Sequence, residues 1–189
     1  MSSPRLTPLK PEQWTEEQRS LALPIAEATG GYNMIGTLLH HWDAFKVQRV
    51  WGKHVHGPGS TLDVRLRELI ILRVGFVLQC EMEWASHKPL ARRAGMTDDQ
   101  IERIKDGSRA DGWSDVEAAL LDMTDDLINH RVISDAVWQR LAQRLTVQQV
   151  FDAIFLVGHY LTVAMLAGSV GVEIDRGRGF TGFDPTRTF

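Results

Sequence analysis

Three helix-start signals in the second half of the chain restrict it to a helical fold. Each is a serine or threonine followed three residues later by glutamate or glutamine, and they begin at Thr97, Ser114 and Thr146. In this pattern the two side chains bond each other's backbone N–H groups and so satisfy the open end of a helix. Apolar residues at helical spacing follow each signal, which predicts helices running to about residues 105, 130 and 173.

The remaining chain also carries helical patterns. The spacing of apolar residues predicts a first helix from Pro11 to about Glu27, in which Pro24 is a candidate break. Further helices are predicted over residues 33–41, 43–55, 63–78, 80–94 and 135–145, and the segment HGPGST at 56–61 is predicted to be a loop. We therefore expect an all-α fold of about seven or eight helices.

Length and composition indicate one globular domain. The chain has 189 residues, of which 43% are hydrophobic and 24% charged, and a chain of this size can bury a sizeable core without disulfides or metals. The polar stretch at 106–113 is the clearest internal boundary. After Asp175 the pattern becomes irregular, and the aromatic residues Phe180, Phe183 and Phe189 are expected to dock on a partner surface.

Charge and cysteine content exclude several classes of partner. The formal net charge is −3 with no basic run, which argues against nucleic-acid binding. We expect no membrane span, since no uninterrupted apolar segment reaches the about 18 residues that a span requires. No secretion signal is evident at the N-terminus. A single cysteine makes no intramolecular disulfide, so a cytoplasmic location is predicted.

The segment LQCEMEWASHKPLARRAG at 78–95 carries the main candidate site. At about 100° per residue, Cys80, Glu83, Trp84 and His87 share one helix face. If this face packs inward, the carboxylate and the imidazole each need a partner, and their i,i+4 spacing lets them pair with each other. The alternative is that they form an ordinary pair on the surface.

This region resembles a known family. The stretch RELIILRVGFVLQCEMEWASHKPLARRAGMTDDQIERI is similar to the carboxymuconolactone decarboxylase family, which also includes alkylhydroperoxidase D-type enzymes. The matching motif is Glu68, eleven residues, Cys80, two residues, Glu83, three residues and His87. The resemblance extends over about 30–175 of a single domain spanning 1–189, leaving 1–29 as an N-terminal arm and helix and 176–189 as a tail.

The resemblance also shows where this chain departs from the peroxidase branch. That branch carries a Cys-x-x-Cys pair whose second cysteine is the peroxidatic thiol, whereas this chain has Glu83 at that position. The resemblance therefore implies the decarboxylase branch, which acts on small carboxylated lactones without metal or organic cofactor. It further implies an alkylhydroperoxidase D-like fold assembled as a homotrimer or homohexamer.

Within that framework the residues suggest a cofactor-free carboxy-lyase or a related proton-transfer enzyme. His87 is the expected general acid/base, Glu83 would orient it or share its proton, and Glu68 would relay protons from further away. Cys80 completes the catalytic candidates. Substrate contacts are expected from Trp84, and from the possible cations Arg73, His54 and His56, with Lys53 and Lys88 as further choices; His159 and Tyr160 suit a core role better than a pocket role.

Three other interpretations stay open at this point. Glu83, His87 and Glu68 with His54 or His56 form a possible metal-ligand set, although the spacing is not that of a typical metal motif. Cys80 alone could serve as a one-cysteine peroxidase resolved by an external thiol. The chain could also be a non-catalytic, oligomeric binding protein.

Overall fold

The computed structural model describes residues 4–175, and over that range the chain is all-α, as predicted. The nine α-helices are α1 (Glu16–Thr29), α2 (Tyr32–Leu38), α3 (Trp42–His56), α4 (Val64–Val77), α5 (Glu81–Arg93), α6 (Asp98–Arg103), α7 (Asp115–His130), α8 (Asp135–Ala142) and α9 (Val147–Val170). Two 3₁₀ segments, Pro11–Gln13 and Ile104–Arg109, complete the fold. The total exceeds the expected seven or eight, although it equals the number of helical ranges predicted one by one, which include α2 and α6.

Helix starts follow the capping chemistry closely. Thr97, Ser114 and Thr146 each accept a hydrogen bond from the backbone N–H three residues on, as the sequence pattern predicted. Thr15 does the same for α1, so this helix begins at Glu16 and the proline at position 11 opens only a 3₁₀ turn. The expected break at Pro24 is absent, and α1 continues to Thr29.

Helix α4 is the centre of the core. It packs against α5, α7 and α9, and Leu69, Ile70, Ile71, Leu72 and Val74 are all inaccessible to solvent. Residues 69–72 are apolar on every side of the helix and must be surrounded by other helices, so this part of the sequence also fits a buried strand. The apolar core therefore encloses Glu68, which is the one acidic residue of this helix and is buried.

Helices α4 and α5 approach each other closely at Gly75. A Cβ placed there would lie 3.2 Å from both the Cβ of Glu83 and the backbone nitrogen of Trp84. Because glycine has no side chain, α5 can turn back along α4 after a tight connection. This hairpin brings Glu68 of α4 and Glu83 of α5 close to each other inside the protein.

Helix α9 corrects one sequence expectation. Its 24 residues are long and apolar enough to span a membrane by length and composition, so the judgement that no segment reaches this limit was wrong. However, 56% of the most apolar 18-residue stretch of α9 is buried inside the protein. The helix contacts α3, α4, α7 and α8. It is packed as the core helix of a globular protein is packed.

The first three helices form a second layer over one side of this core. Their own apolar cluster includes Trp14, Ala22, Ala26, Ile35, Leu39 and Phe45. This layer leaves space between itself and the pair α5 and α9, and the candidate site lies there. The aromatic residues Phe180, Phe183 and Phe189, predicted to dock on a partner surface, lie outside the described residues, and a trimer or hexamer remains a prediction.

Candidate functional site

A cavity of about 610 Å³ separates α1, α2 and α3 from α5 and α9. One part of its wall is apolar, with Met34, Leu38 and Val163 among the lining residues. The polar part includes Arg49, His56, Glu83, His87, His159 and Tyr160, and the charged residues Glu27, Arg93 and Asp175 also line the cavity. A volume of this size suits a small organic molecule, and apolar walls with a few convergent polar groups are typical of such sites.

His87 is at the centre of the polar wall. Its Nδ1 lies 2.8 Å from Oε2 of Glu68, and its Nε2 lies 2.9 Å from the hydroxyl of Tyr160 and 3.6 Å from Oε2 of Glu83. The main partner of His87 is therefore Glu68 from α4, and the i,i+4 contact with Glu83 is longer. Glu68 contacts the imidazole directly, where sequence reasoning had placed it in a more distant role.

Charges around His87 favour its protonated form. Burial acts to lower its pKa, but the hydrogen bond and charge of Glu68 and the charge of Glu83 outweigh burial, so the pKa is raised. In the imidazolium form both ring nitrogens donate, Nδ1 to Glu68 and Nε2 to Tyr160. When His87 is neutral, the carboxylate of Glu68 keeps the remaining proton on Nδ1, and Nε2 can accept a hydrogen bond from the hydroxyl of Tyr160.

Glu83 is the second titrating group of the cavity. Its side chain is 4% exposed, and burial raises its pKa to about 7, with His87 opposing this rise and Glu68 adding to it. A carboxyl group with a pKa near neutrality can both give and take a proton under physiological conditions. Glu83 and His87 titrate as a coupled pair rather than as independent groups.

Tyr160 links His87 to a second histidine. Its hydroxyl lies 2.6 Å from Nε2 of His56 and 2.9 Å from Nε2 of His87. When His87 donates to this hydroxyl, the hydroxyl donates onward to His56, which must then be neutral at Nε2. Loss of solvent around the ring and the nearby charge of His87 lower the pKa of His56, which fits this role. His56 as a residue is exposed, so the chain of hydrogen bonds from His87 through Tyr160 ends at a side chain that contacts solvent.

His159 completes the imidazole cluster. It is buried, packs edge-on against Trp51 and Tyr160, and lines the cavity. Burial and the positive charges of Arg49 and His87 lower its pKa to about 4, so it is neutral. Sequence reasoning favoured a core role for His159 and Tyr160, and the structure gives both residues buried positions that also face the cavity. Their adjacency in an otherwise apolar helix was the available signal.

Cys80 lies apart from this cluster. It precedes α5 as its N-cap residue and packs with Ala164 and Ala167 in a separate apolar group. Burial and the charge of Glu83 raise the pKa of its thiol to about 12. A reactive cysteine requires the opposite environment, one that stabilises the thiolate.

Three of the predicted substrate contacts do not reach the cavity. Trp84 is fully buried in the main core. Arg73 makes a bidentate contact of 2.7 and 2.6 Å with Asp125, so it is neither a partner of Glu68 nor available to a ligand. Nε2 of His54 lies 2.8 Å from Oδ1 of Asp152. Of the predicted substrate-binding residues, only His56 lines the cavity.

The possible metal-ligand set is not assembled either. Within residues 4–175, no group of three or more histidine, cysteine or acidic side chains has an arrangement that could hold a metal ion. His54 is bound to Asp152, and both nitrogens of His87 have protein partners. The arrangement around His87 is suited to moving protons.

Comparisons with known proteins agree with this architecture. Residues 38–126 match the sequence profile of the carboxymuconolactone decarboxylase family, whereas no curated protein sequence matches the chain significantly. Among solved structures, an uncharacterised peroxidase-related protein with an alkylhydroperoxidase AhpD core from Ralstonia eutropha JMP134 superposes with a TM-score of 0.79 at 16% identity, covering 92% of this chain and 93% of that one.

Two further structures share the fold. A peroxidase-related protein from Silicibacter sp. TM1040 has a TM-score of 0.75 at 14% identity and covers 92% of this chain and 94% of its own. The debrominase Bmp8 has a TM-score of 0.75 at 11% identity, covering 89% and 90% of the two chains. At these identities the likeness establishes a common fold.

Proposed function

Residues 38–126 of this chain belong to the carboxymuconolactone decarboxylase family, and from this premise we propose that the protein is an acid/base enzyme acting on a small enolisable carboxylic acid or carboxylated lactone. The observation that supports this most strongly is the buried Glu68–His87–Glu83 cluster, which opens onto a cavity and extends through Tyr160 to His56. Such a cluster stores and delivers a proton at neutral pH.

The proposed reaction is decarboxylation followed by protonation at carbon. The bond between the substrate carbon and its carboxylate breaks, CO₂ leaves, and the electron pair is delocalised into an adjacent unsaturated carbonyl as a dienolate. Glu83 then donates its proton to that carbon, and His87 restores the proton to Glu83. His87 in turn regains a proton through Tyr160 and the solvent-accessible His56. The balance is one proton consumed and one CO₂ released.

Glu68 supports His87 in this scheme. Glu68 holds the ring by Nδ1 and keeps its pKa raised, so that a proton is available when Glu83 has lost its own. Isomerisation and lactone opening would use the same groups, because both need a proton to be added to or removed from the substrate.

Isotope incorporation tests this function without knowing the substrate in advance. A panel of carboxylated lactones and enolisable acids is incubated with the protein in D₂O and analysed by NMR and mass spectrometry. We expect at least one compound to lose CO₂ or to gain deuterium at carbon, and Glu83→Gln to abolish both changes. A panel that stays unchanged, together with thiol-dependent hydroperoxide consumption, would contradict the proposal.

The rate is expected to depend on pH through the Glu83–His87 pair. Because Glu83 acts as a proton donor and its pKa is raised to about 7, turnover should be highest below this pH and fall as the pH rises through it. Glu83→Gln should remove this dependence along with most of the activity. A pH–rate profile of kcat measures it, and a rate that increases through neutral pH would show that Glu83 acts as a base instead.

Cys80→Ser is expected to leave turnover nearly unchanged. The thiol is buried, is protonated at neutral pH and does not line the cavity, and serine is a preferred residue at a helix N-cap. The check is a side-by-side assay of wild type and variant, both for the proton-transfer reaction and for hydroperoxide consumption with an added thiol. Hydroperoxide turnover that disappears in the variant would make the protein a one-cysteine peroxidase.

A further inference from the structure

Arg49 is a cation in the cavity that has no acidic partner in the described part of the chain. Five other arginines each bind a carboxylate directly, namely Arg65, Arg73, Arg92, Arg140 and Arg144. Other arginines, among them Arg67 and Arg93, also form no ion pair within residues 4–175, but among the arginines of that range only Arg49 has a buried nitrogen, its Nε, without a hydrogen-bond partner. An unsatisfied donor of a charged group is costly, which suggests that it is satisfied by something that binds there.

The side chains directly beside Arg49 leave its positive charge without compensation. Burial lowers the pKa of its guanidinium, although an arginine remains protonated at neutral pH. Its neighbours on this wall include His159, which is neutral, and Gln48, whose Nε2 lies 3.4 Å from Nε2 of His159. Neither neighbour compensates the positive charge. Gly52 has no side chain, and a Cβ there would lie 3.8 Å from Nη1 of Arg49 and 3.4 Å from Cε1 of His159, so the glycine leaves space beside the guanidinium.

Arg49 also has a defined position relative to the acid/base cluster. It lies beside His159, whose ring centroid is 5.2 Å from that of Tyr160, and Tyr160 in turn contacts His87. Arg49 is thus separated from His87 by the rings of His159 and Tyr160, along one wall of the cavity. Arg49, Glu83 and His87 line the same cavity, so the space beside Arg49 is continuous with the space that Glu83 and His87 face.

We propose that Arg49 binds a carboxylate group of the substrate that is retained through the reaction. Its planar guanidinium can donate two parallel hydrogen bonds to a carboxylate, and the apolar residues Met34, Leu38 and Val163 contact the body of the same molecule. The carboxylate held by Arg49 is not the group that leaves, because ion pairing stabilises the negative charge on it. That this carboxylate belongs to the substrate rests on the proposed function, whereas the binding of a carboxylate by Arg49 does not.

The test compares a charged probe with its neutral counterpart. Benzoate and benzamide have the same ring and similar size but differ in charge, and their binding is measured by titration calorimetry. We expect wild type to prefer benzoate by at least about tenfold, the scale of a charge-assisted hydrogen bond. Arg49→Gln should lose this preference, and Arg49→Lys should keep only part of it because the ammonium lacks the planar fork.

Matched variants separate this inference from the proposed function. Lys53→Gln removes the same charge from the exposed side of α3 and should keep the wild-type preference. Equal affinity of wild type for benzoate and benzamide, or an undiminished preference in Arg49→Gln, would overturn the inference without affecting the acid/base proposal. An altered oligomeric state in Arg49→Gln with the preference intact would likewise overturn it and assign Arg49 to a subunit contact.

Discussion

Replacing His87 with glutamine is expected to lower turnover by about 100- to 10,000-fold, the usual contribution of a general acid/base group. Glutamine is similar in length and its amide can still donate to Glu68, but it cannot take up or release a proton near neutral pH. The proton lost by Glu83 would then not be replaced through His87. Measurement of kcat at several pH values tests this, with the pH dependence also expected to change.

The control for this variant is His130→Gln. His130 is an exposed histidine at the end of α7, so the same chemical change there should leave turnover as in wild type. Thermal unfolding of both variants shows whether the fold is retained. A folded His87→Gln variant with full turnover would refute the role of His87, and loss of activity accompanied by unfolding would direct the test to Glu83→Gln.

Trp84→Ala is expected to have the largest effect on stability. Trp84 has no exposed surface and packs in the main core, where its ring centroid lies 5.8 Å from that of Phe76 and beside Lys105. Truncation of such a side chain leaves a cavity that the surrounding helices fill only in part. We expect the free energy of unfolding to fall by about 3–5 kcal/mol, measured by chemical denaturation.

Two further variants show whether Trp84 is a core residue or a substrate contact. Trp138 is 41% exposed, so Trp138→Ala should change the free energy of unfolding by about 0.5 kcal/mol or less. Trp84→Phe keeps most of the apolar volume and should retain turnover with a smaller loss of stability. A Trp84→Ala variant that is as stable as wild type but fails to bind ligand would show that Trp84 contacts the substrate and is not a core residue.

The helices were predictable because their signals are local. The side chain of Thr146 caps the helix within three residues of itself, and the period of apolar residues records which side of a helix is buried. The central helix α4 was harder, since an apolar run without periodicity fits a buried strand equally well. Arg65, Glu68 and Arg73 recur at helical intervals along the same segment, and this spacing favours a helix.

Pairings between distant residues were not predictable in the same way. Arg73 was expected to contact substrate, but its partner is Asp125 from α7. Glu83 was expected to pair with His87, yet Glu68 is closer to the ring. Sequence separation gives only the neighbours on the same helix, whereas the nearest charges in a helical core come from other helices.

The sequence by itself determined where the helices capped by Thr97, Ser114 and Thr146 begin, the apolar faces and the residues able to carry acid/base chemistry, because these depend on contacts within a few turns of chain. Only the tertiary structure decided which of those residues act together. Helix packing places Tyr160 within hydrogen-bond distance of both His56 and His87, and it places Arg49 on the cavity wall. Trp84, Arg73 and Cys80 do not line the cavity. The physical reason is that burial and pairing depend on side chains brought together from separate helices, and their relative placement is a property of the packed molecule.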